Sequence, residues 1–367
     1  MALSFINECR NFPQHEYYVW VGPGVRKSLK EEKFPANFQF EHFDFGVISF
    51  KKTFSINSTM QAVEQRIKPD VIIATSGPSY FHSRAPQIIG YNLGLYLYDE
   101  LPFNAKRNWY RDLRFILKRR LHHYYFKRDA DYFVVQTDDV NQRVRKALRT
   151  DKVLTVTNTA SSYYHQWKKY PAKLPCKSPD SFRFVTISSY YVHKNLEILP
   201  KVLGELKERG IHNVEFVLTL KGEYFESYID TQSGIHNVGP VKPPECPSLY
   251  AECDALFMPT LAECFSASYP EAMVMEKPIV TTDLGFARSI CGEAALFYKA
   301  QDAKAAADKI EILINDPSLQ AQLIAKGKQQ LQSFDTPKER AEKYLHLCKA
   351  LSLNAPHPKI KPVAEGK

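Results

Sequence analysis

Two carboxylates, Glu263 and Glu271, stand eight positions apart in the stretch Pro259-Thr260-Leu261-Ala262-Glu263-Cys264-Phe265-Ser266-Ala267-Ser268-Tyr269-Pro270-Glu271-Ala272-Met273. Carboxylates that converge can grip vicinal hydroxyls, and the flanking residues predict that these converge. Asp254 to Pro259 reads as a short buried strand, polar at its start and apolar after it, and Ile279 to Asp283 reads as the next. Between them Ser268 suits a helix cap, Pro270 the first turn and Glu271 the positive end of the helix. Glu263 is therefore expected in the loop at the carboxyl end of one strand, and Glu271 in the first turn of the following helix. Both would face the crevice where open α/β sheets take ligands. Backbone N–H groups at the helix start add an anion site. Hydroxyls beside phosphate describe a nucleotide-sugar. The spacing of two Glu residues alone is weak, since a solvated loop Glu and a dipole-pairing Glu give the same pattern. The Glu-Ala-Met that ends the stretch and Lys277-Pro278-Ile279-Val280-Thr281 after it strengthen the signal.

A second cluster, Ser188-Ser189-Tyr190-Tyr191-Val192-His193-Lys194-Asn195, lies between an expected strand at Phe182–Ile187 and a helix expected over Asn195–Gly210. Lys194, a mobile point charge near a helix start, suits a diphosphate. Its bland alternative is a solvated lysine. Ser189 and His193 flank it, and Phe265, Ser266 and Ala267 occupy the matching turn before Glu271, so all five are candidate donor contacts.

With these motifs the chain resembles the retaining glycosyltransferases of the GT-B class, family four, of the bacterial surface-polysaccharide type. The resemblance is clearest from Phe182 to Tyr298. It runs more weakly through Gly77-Pro78-Ser79-Tyr80, Pro102-Phe103 and Asp131 to Thr137. It implies two doubly wound Rossmann-like domains facing a cleft. It implies that Glu271 binds the ribose hydroxyls of the donor, Glu263 the donor sugar and Lys194 the diphosphate. Retention in the family is assigned to front-face attack assisted by the leaving diphosphate, which fits a sequence without a clear side-chain nucleophile. No Asp-x-Asp lies in the stretches that would build the crevice, so neither a metal nor another cofactor is expected.

The chain departs from the family in four places. Ser189 stands where many relatives place an Arg. Cys264-Phe265-Ser266 replaces a frequent Gly-Phe-Gly, so side chains reshape the sugar pocket. Tyr91 to Tyr96 holds Leu95 but no His, while His82, His122 and His123 lie elsewhere. Finally, a helical pattern at Leu3–Cys9 occupies the start, where relatives have a central strand and a Gly-rich turn. The expectation is an N-terminal sheet that lacks this strand, either because the chain starts late or because the sheet has rearranged. These departures keep two alternatives open. One is a degenerate, catalytically weak transferase acting as a nucleotide-binding or scaffold protein. The other is a nucleotide-sugar epimerase of similar fold.

At 367 residues, 44% hydrophobic and 24% charged, the chain is sized and composed for two soluble domains. Seven cysteines, scattered singly, argue against both a disulfide framework and a zinc site, and for a reducing compartment. No run of apolar residues is long enough to span a membrane, and the start does not read as a signal peptide. The expected location is cytoplasmic. A net charge of +9 asks for an acidic partner. No nucleic-acid-binding signature is visible, so nucleic acid is not expected. The helix expected over Asn108–Arg128 mixes Arg111, Arg114, Lys118, Arg119 and Arg120 with Trp109, Tyr110, Phe115 and Leu117. This composition marks Trp109–Arg120 as a candidate surface for anionic membrane at the inner face of the cell membrane, next to a saccharide or lipid-linked acceptor. A domain helix with solvated cations is the alternative.

Strand and helix patterns alternate in both halves. Strands are expected at Glu16–Val21, Asp70–Ala74, Gln87–Tyr91, Tyr132–Gln136, Val153–Val156 and Val214–Leu220, and helices at Met60–Ile67, Ala303–Phe334 and Pro337–Leu351. A Lys- and Pro-rich stretch at Lys168–Pro179 is the expected linker. The expected division is an acceptor-side domain over residues 1–175, a donor-binding domain over 176–352 and a disordered tail over 353–367. The last helix is expected to pack back on the first domain.

Overall fold

The computed structural model describes residues 2–98, 109–165, 167, 169–229 and 233–353. The Pro102-Phe103 motif, the start of the basic helix before Trp109, the side chain of Arg111 and the tail from residue 354 lie outside the described residues.

The first half begins with helix α1 (Ala2–Cys9), whose Phe5 and Cys9 are buried. Strand β1 (Tyr17–Val21) follows, then the single turn α2 (Pro23–Arg26) and β2 (Phe38–His42). Helix α3 (Phe50–Ile67) is capped by the Ser49 side chain, which accepts from the Lys52 amide. It precedes β3 (Ile72–Ala74) and β4 (Gln87–Gly90). Helix α4 (Trp109–Asp129), β5 (Tyr132–Val135), α5 (Asp138–Leu148), β6 (Val153–Thr155) and the short α6 (Ser162–His165) complete this half.

The expected interruption of the first sheet is present. Strands β3, β4, β5 and β6 form one parallel sheet in that order, and β1 pairs in parallel with β2 in a second. Among the described residues neither β1 nor β3 has a ladder partner on its other edge. Apolar packing bridges the two pieces. Tyr17, Val19, Phe38 and Phe40 share a cluster with Val71, Ile73, Ile88 and Tyr132. Trp20 packs edge-on against Phe81 with ring centroids 6.0 Å apart.

The second half is regular. It runs β7 (Phe182–Thr186), α7 (Leu199–Glu208), β8 (Val214–Leu218), α8 (Gly222–Tyr228), β9 (Ile235–Asn237), α9 (Cys246–Ala251) and β10 (Ala255–Met258). It continues through α10 (Ser268–Val274), β11 (Ile279–Thr282), α11 (Gly285–Cys291), β12 (Ala295–Tyr298), α12 (Ala303–Asn315) and α13 (Pro317–Leu331). Its sheet is fully parallel in the order β12-β11-β10-β7-β8-β9. The strands flanking the switch point, β7 and β10, are buried on both faces, which is why they read as apolar runs.

The last helix, α14 (Pro337–Ser352), starts with a capping box between Thr336 and Glu339. It returns to the first half. Phe5 and Tyr344 pack with centroids 4.9 Å apart, and the Arg340 guanidinium donates to Ser4 Oγ at 2.8 Å and to Asn158.

Some boundaries differ from expectation: α3 starts at Phe50 rather than Met60, and the pattern over Ala303–Phe334 is two helices, because Pro317 starts a new one after Asp316. The helix expected from Asn195 starts only at Leu199, after two 3-10 turns, because Asn195 adopts a left-handed backbone with φ of 53°.

The split sheet has a measurable consequence. Amides of β1 and β3 should exchange with solvent at least about tenfold faster than those of β7 and β10, since local opening is cheapest where ladders are incomplete. Equal protection across both halves would contradict the description of the first sheet.

Candidate functional site

The loops at the carboxyl ends of β7 and β10 bring the two sequence clusters together. Lys194 ends a 3-10 turn at Val192–Lys194, and its Nζ donates to Glu263 Oε1. Both side chains are 16% exposed, so this is a largely desolvated ion pair. The backbone is locked around it. The His193 carbonyl accepts from the Leu261 amide at 2.7 Å and from Thr260 Oγ1 at 3.2 Å. Asn195 donates to the Pro259 carbonyl. Thr260 is fully buried, and Thr282 Oγ1 donates to its carbonyl at 2.7 Å. Tyr269 Oη and Thr281 Oγ1 lie 2.7 Å apart, and Thr281 donates on to Met258. The Glu263 loop is thus tied to β7 on one side and β11 on the other.

Glu271 lies in the first turn of α10, as expected, and its amide bonds to the Ala267 carbonyl at 3.0 Å. The cap differs from expectation. Ala267 occupies the N-cap position with helical φ of −63° and ψ of −22°, and Ser268 is the first helical residue. A side-chain cap needs an extended backbone at that position, so Ser268 does not cap. Instead Ser268 is buried and its carbonyl accepts from Tyr250 Oη.

The remaining candidates divide. Ser189 is exposed, with its carbonyl bonded by Ser188 Oγ. His193 stacks on Tyr191, ring centroids 5.5 Å apart. Phe265 packs inward, edge-on to Phe334. Ser266 is buried with its carbonyl facing the Tyr269 amide. Ala267 contributes backbone alone.

Two residues at the site carried no signal in sequence. Tyr164 of α6 is buried near Glu271, its ring edge-on to Tyr250 with centroids 5.8 Å apart. Gly94, in the turn after β4, abuts the Glu263 loop so closely that a Cβ there would meet the Glu263 carbonyl carbon at 3.0 Å and the Cys264 amide at 3.2 Å. Asn92-Leu93-Gly94 reads as a turn, but nothing local says what it touches.

Burial sets the protonation of the site. It pushes the Glu271 carboxyl from 4.5 up to about 7, with the nearby Tyr164 hydroxyl opposing part of the rise. It pulls the His193 imidazole down to about 4, helped by neighbouring Lys194, so His193 is neutral at pH 7. His122 is also lowered by burial, helped by Lys118, and is bonded by Tyr80 and Tyr96. Leu95 packs against the apolar core.

Against known proteins, residues 181–316 match the family model described as glycosyl transferases group 1. That span contains Lys194, Glu263 and Glu271. No curated protein sequence matches the chain. Among solved structures, a glycosyltransferase from Rickettsia africae ESF-5 superposes with a TM-score of 0.69 at 14% identity, covering 96% of this chain and 95% of that one. Anabaena Alr3699/HepE, crystallised with UDP and glucose, gives 0.65 at 16% identity over 94% and 95%. WaaG, a glycosyltransferase involved in lipopolysaccharide biosynthesis, gives 0.66 at 14% identity over 94% and 95%. The fold is therefore that of the GT-B glycosyltransferases, two Rossmann-like domains facing a cleft.

The half-buried Glu271 links site and stability. Its folded carboxyl holds a proton that the unfolded chain has already released above pH 4.5, so between about 4.5 and 7 stability falls as pH rises. Glu271→Gln keeps the shape of the side chain and removes the charge. The unliganded variant should be more stable than the parent at pH 8, by up to about 3 kcal/mol, with the gap closing towards pH 5. Thermal unfolding at the two pH values checks this, and a gap independent of pH would contradict it.

Proposed function

We propose that this protein moves a sugar from a nucleotide-sugar donor to a saccharide or lipid-linked acceptor, with retained anomeric configuration, in surface-polysaccharide synthesis. The observation that carries the reading is the assembly of Lys194, Glu263 and Glu271 at the carboxyl ends of a parallel sheet. The Lys194–Glu263 pair holds a cation and an anion ready for separate partners. A diphosphate takes Lys194, and Glu263 is then free to accept from sugar hydroxyls. Glu271 accepts from the ribose. The acceptor enters where the Gly94 turn of the first half meets the Glu263 loop, which puts its nucleophile beside the donor sugar. The match to group 1 glycosyl transferases and the likeness to HepE, crystallised with UDP and glucose, support this donor class. The likeness to WaaG supports the acceptor class. Neither a metal nor another cofactor enters the reading.

The weak-transferase alternative has specific support. Ser189 supplies no cation, Leu95 supplies no polar group, and the acceptor-side sheet is split. Assays with and without acceptor separate the readings. A transferase needs the acceptor for turnover, an epimerase turns over without it, and a scaffold binds nucleotide without turnover.

Lys194→Ala should weaken binding of a nucleoside diphosphate by about 1.5–3 kcal/mol, the worth of a charge-assisted bond, and leave the bare nucleoside nearly unchanged. Calorimetry with both ligands measures this. Equal loss for both would remove Lys194 from the diphosphate site.

We further propose that α4 docks the acceptor side on anionic membrane at the inner face of the cell membrane. Its carboxyl end is anchored by buried Tyr125, Phe126 and Asp129, while Trp109 is 76% exposed and Tyr110 60%. Tyr110, Leu113, Leu117, Leu121 and Tyr124 are all exposed and recur at helical spacing, so they share one face. Arg114, Lys118, Arg120 and Lys127 are exposed beside them. No helix among the described residues is long and apolar enough to cross a membrane, so this contact would be peripheral. The protein should co-sediment with anionic liposomes at low salt and release as salt rises, since exposed charge is screened over roughly 8 Å at physiological ionic strength. Absence of binding at low salt would rule the contact out.

A further inference from the structure

The turn between β2 and α3 sends aliphatic side chains outward from a stiff base. Phe43 and Phe45 stack with ring centroids 5.9 Å apart and join the cluster of Ile56, Met60, Ile72 and Phe81. Gly46 takes a left-handed backbone with φ of 56°, and its amide donates to Asp44 Oδ1 at 2.8 Å. Lys52 Nζ donates to the Phe45 carbonyl at 2.8 Å. Above this base Val47 is 87% exposed and Ile48 47%, and Phe54, one turn into α3, is 65% exposed. Single exposed apolar residues are ordinary on a protein surface. Here two consecutive aliphatics stand at the tip of a loop whose conformation is already fixed. Moving them into an apolar phase therefore costs little ordering entropy.

The loop adjoins α4. Thr53 of α3 is buried, with its Oγ1 3.1 Å from Tyr125 Oη. The start of α3 thus lies against the part of α4 that carries exposed Leu121 and Tyr124. We propose that the Val47-Ile48 tip inserts into the acyl region of an anionic membrane leaflet, as a second, apolar anchor next to α4. This rests on the reading of α4 as a membrane contact.

The occupant follows from the chemistries that meet on this surface. Aliphatic side chains stand at the tip, and Lys51 and Lys52 are exposed just behind them. Arg114, Lys118, Arg120 and Lys127 are exposed on α4, together with Trp109, Tyr110 and Tyr124. A lipid leaflet offers a partner to each: acyl chains within, an interfacial zone that favours aromatic side chains, and anionic headgroups that attract lysine and arginine. The acidic side chain of the loop, Asp44, is turned to the Gly46 amide. A second copy of the chain is a poor occupant, because a self-complementary contact would bring these cations face to face.

The test is binding of the full chain to vesicles of equal parts phosphatidylglycerol and phosphatidylcholine over a salt series. Val47→Ser/Ile48→Ser keeps the charge of the loop. It should lower the partition constant at least about tenfold at every salt concentration and leave the salt slope unchanged, because the lost contribution is apolar. Lys118→Gln/Arg120→Gln should instead flatten the slope. A second readout follows the tip itself. The environment-sensitive fluorophore NBD, attached at Val47→Cys in a Cys176→Ser background that removes an exposed native thiol, should brighten on vesicles and be quenched by lipids spin-labelled on the acyl chain. If the parent does not bind these vesicles at low salt, the reading of α4 falls and this inference with it. If the parent binds, but Val47→Ser/Ile48→Ser binds equally or the label at Val47→Cys is not quenched, the tip stays outside the bilayer and the inference is overturned while the α4 contact stands. A parent chain that is dimeric in solution and becomes monomeric on Val47→Ser/Ile48→Ser, with vesicle binding unchanged, would assign the tip to a second copy and overturn the inference as well.

Discussion

Lys194 and Glu263 hold each other at the carboxyl ends of β7 and β10, and the surrounding structure serves that contact. Each charge is largely desolvated, and a desolvated charge without a partner is costly. The pair therefore demands rigid loops on both sides. The His193 carbonyl, Thr260 and Asn195 supply that rigidity through bonds that cross between the two loops, and Thr282 ties the Glu263 loop to β11. The arrangement is also poised for exchange. A pair that is satisfied internally can be opened by a ligand that brings its own anion for the lysine and its own hydroxyls for the glutamate.

Glu271 represents the opposite solution. It is half-buried with no ion-pair partner among the described residues, and burial keeps its proton on until near neutrality. A site residue kept in an unfavourable environment trades stability for affinity. The two carboxylates that look alike in sequence thus differ in kind: one is charge-paired and the other is held near its titration point.

Much of this was legible in the residues. The strands around the crevice are buried on both faces, so they appear as short apolar runs bounded by polar residues, and the loops between them had to carry Lys194, Glu263 and Glu271. The helical start at Leu3–Cys9 foretold the split of the first sheet. Other features were hidden for physical reasons. Strand β2 alternates Phe38-Gln39-Phe40-Glu41-His42 at a sheet edge, and β9 is three half-buried residues, so neither shows an apolar run. Asn195 breaks the start of α7 by a backbone angle that no pattern displays. Tyr164 and Gly94 matter through partners roughly a hundred or more residues away. Local pattern reports what an element is, and long-range contacts decide what it touches.

The account stands on the crevice between β7 and β10 being the donor site. A crystal structure with a bound nucleoside diphosphate tests this most directly. The account predicts Lys194 Nζ turned from Glu263 to the diphosphate, and the ribose hydroxyls on Glu271. A nucleotide bound elsewhere, with the Lys194–Glu263 pair intact, would contradict it.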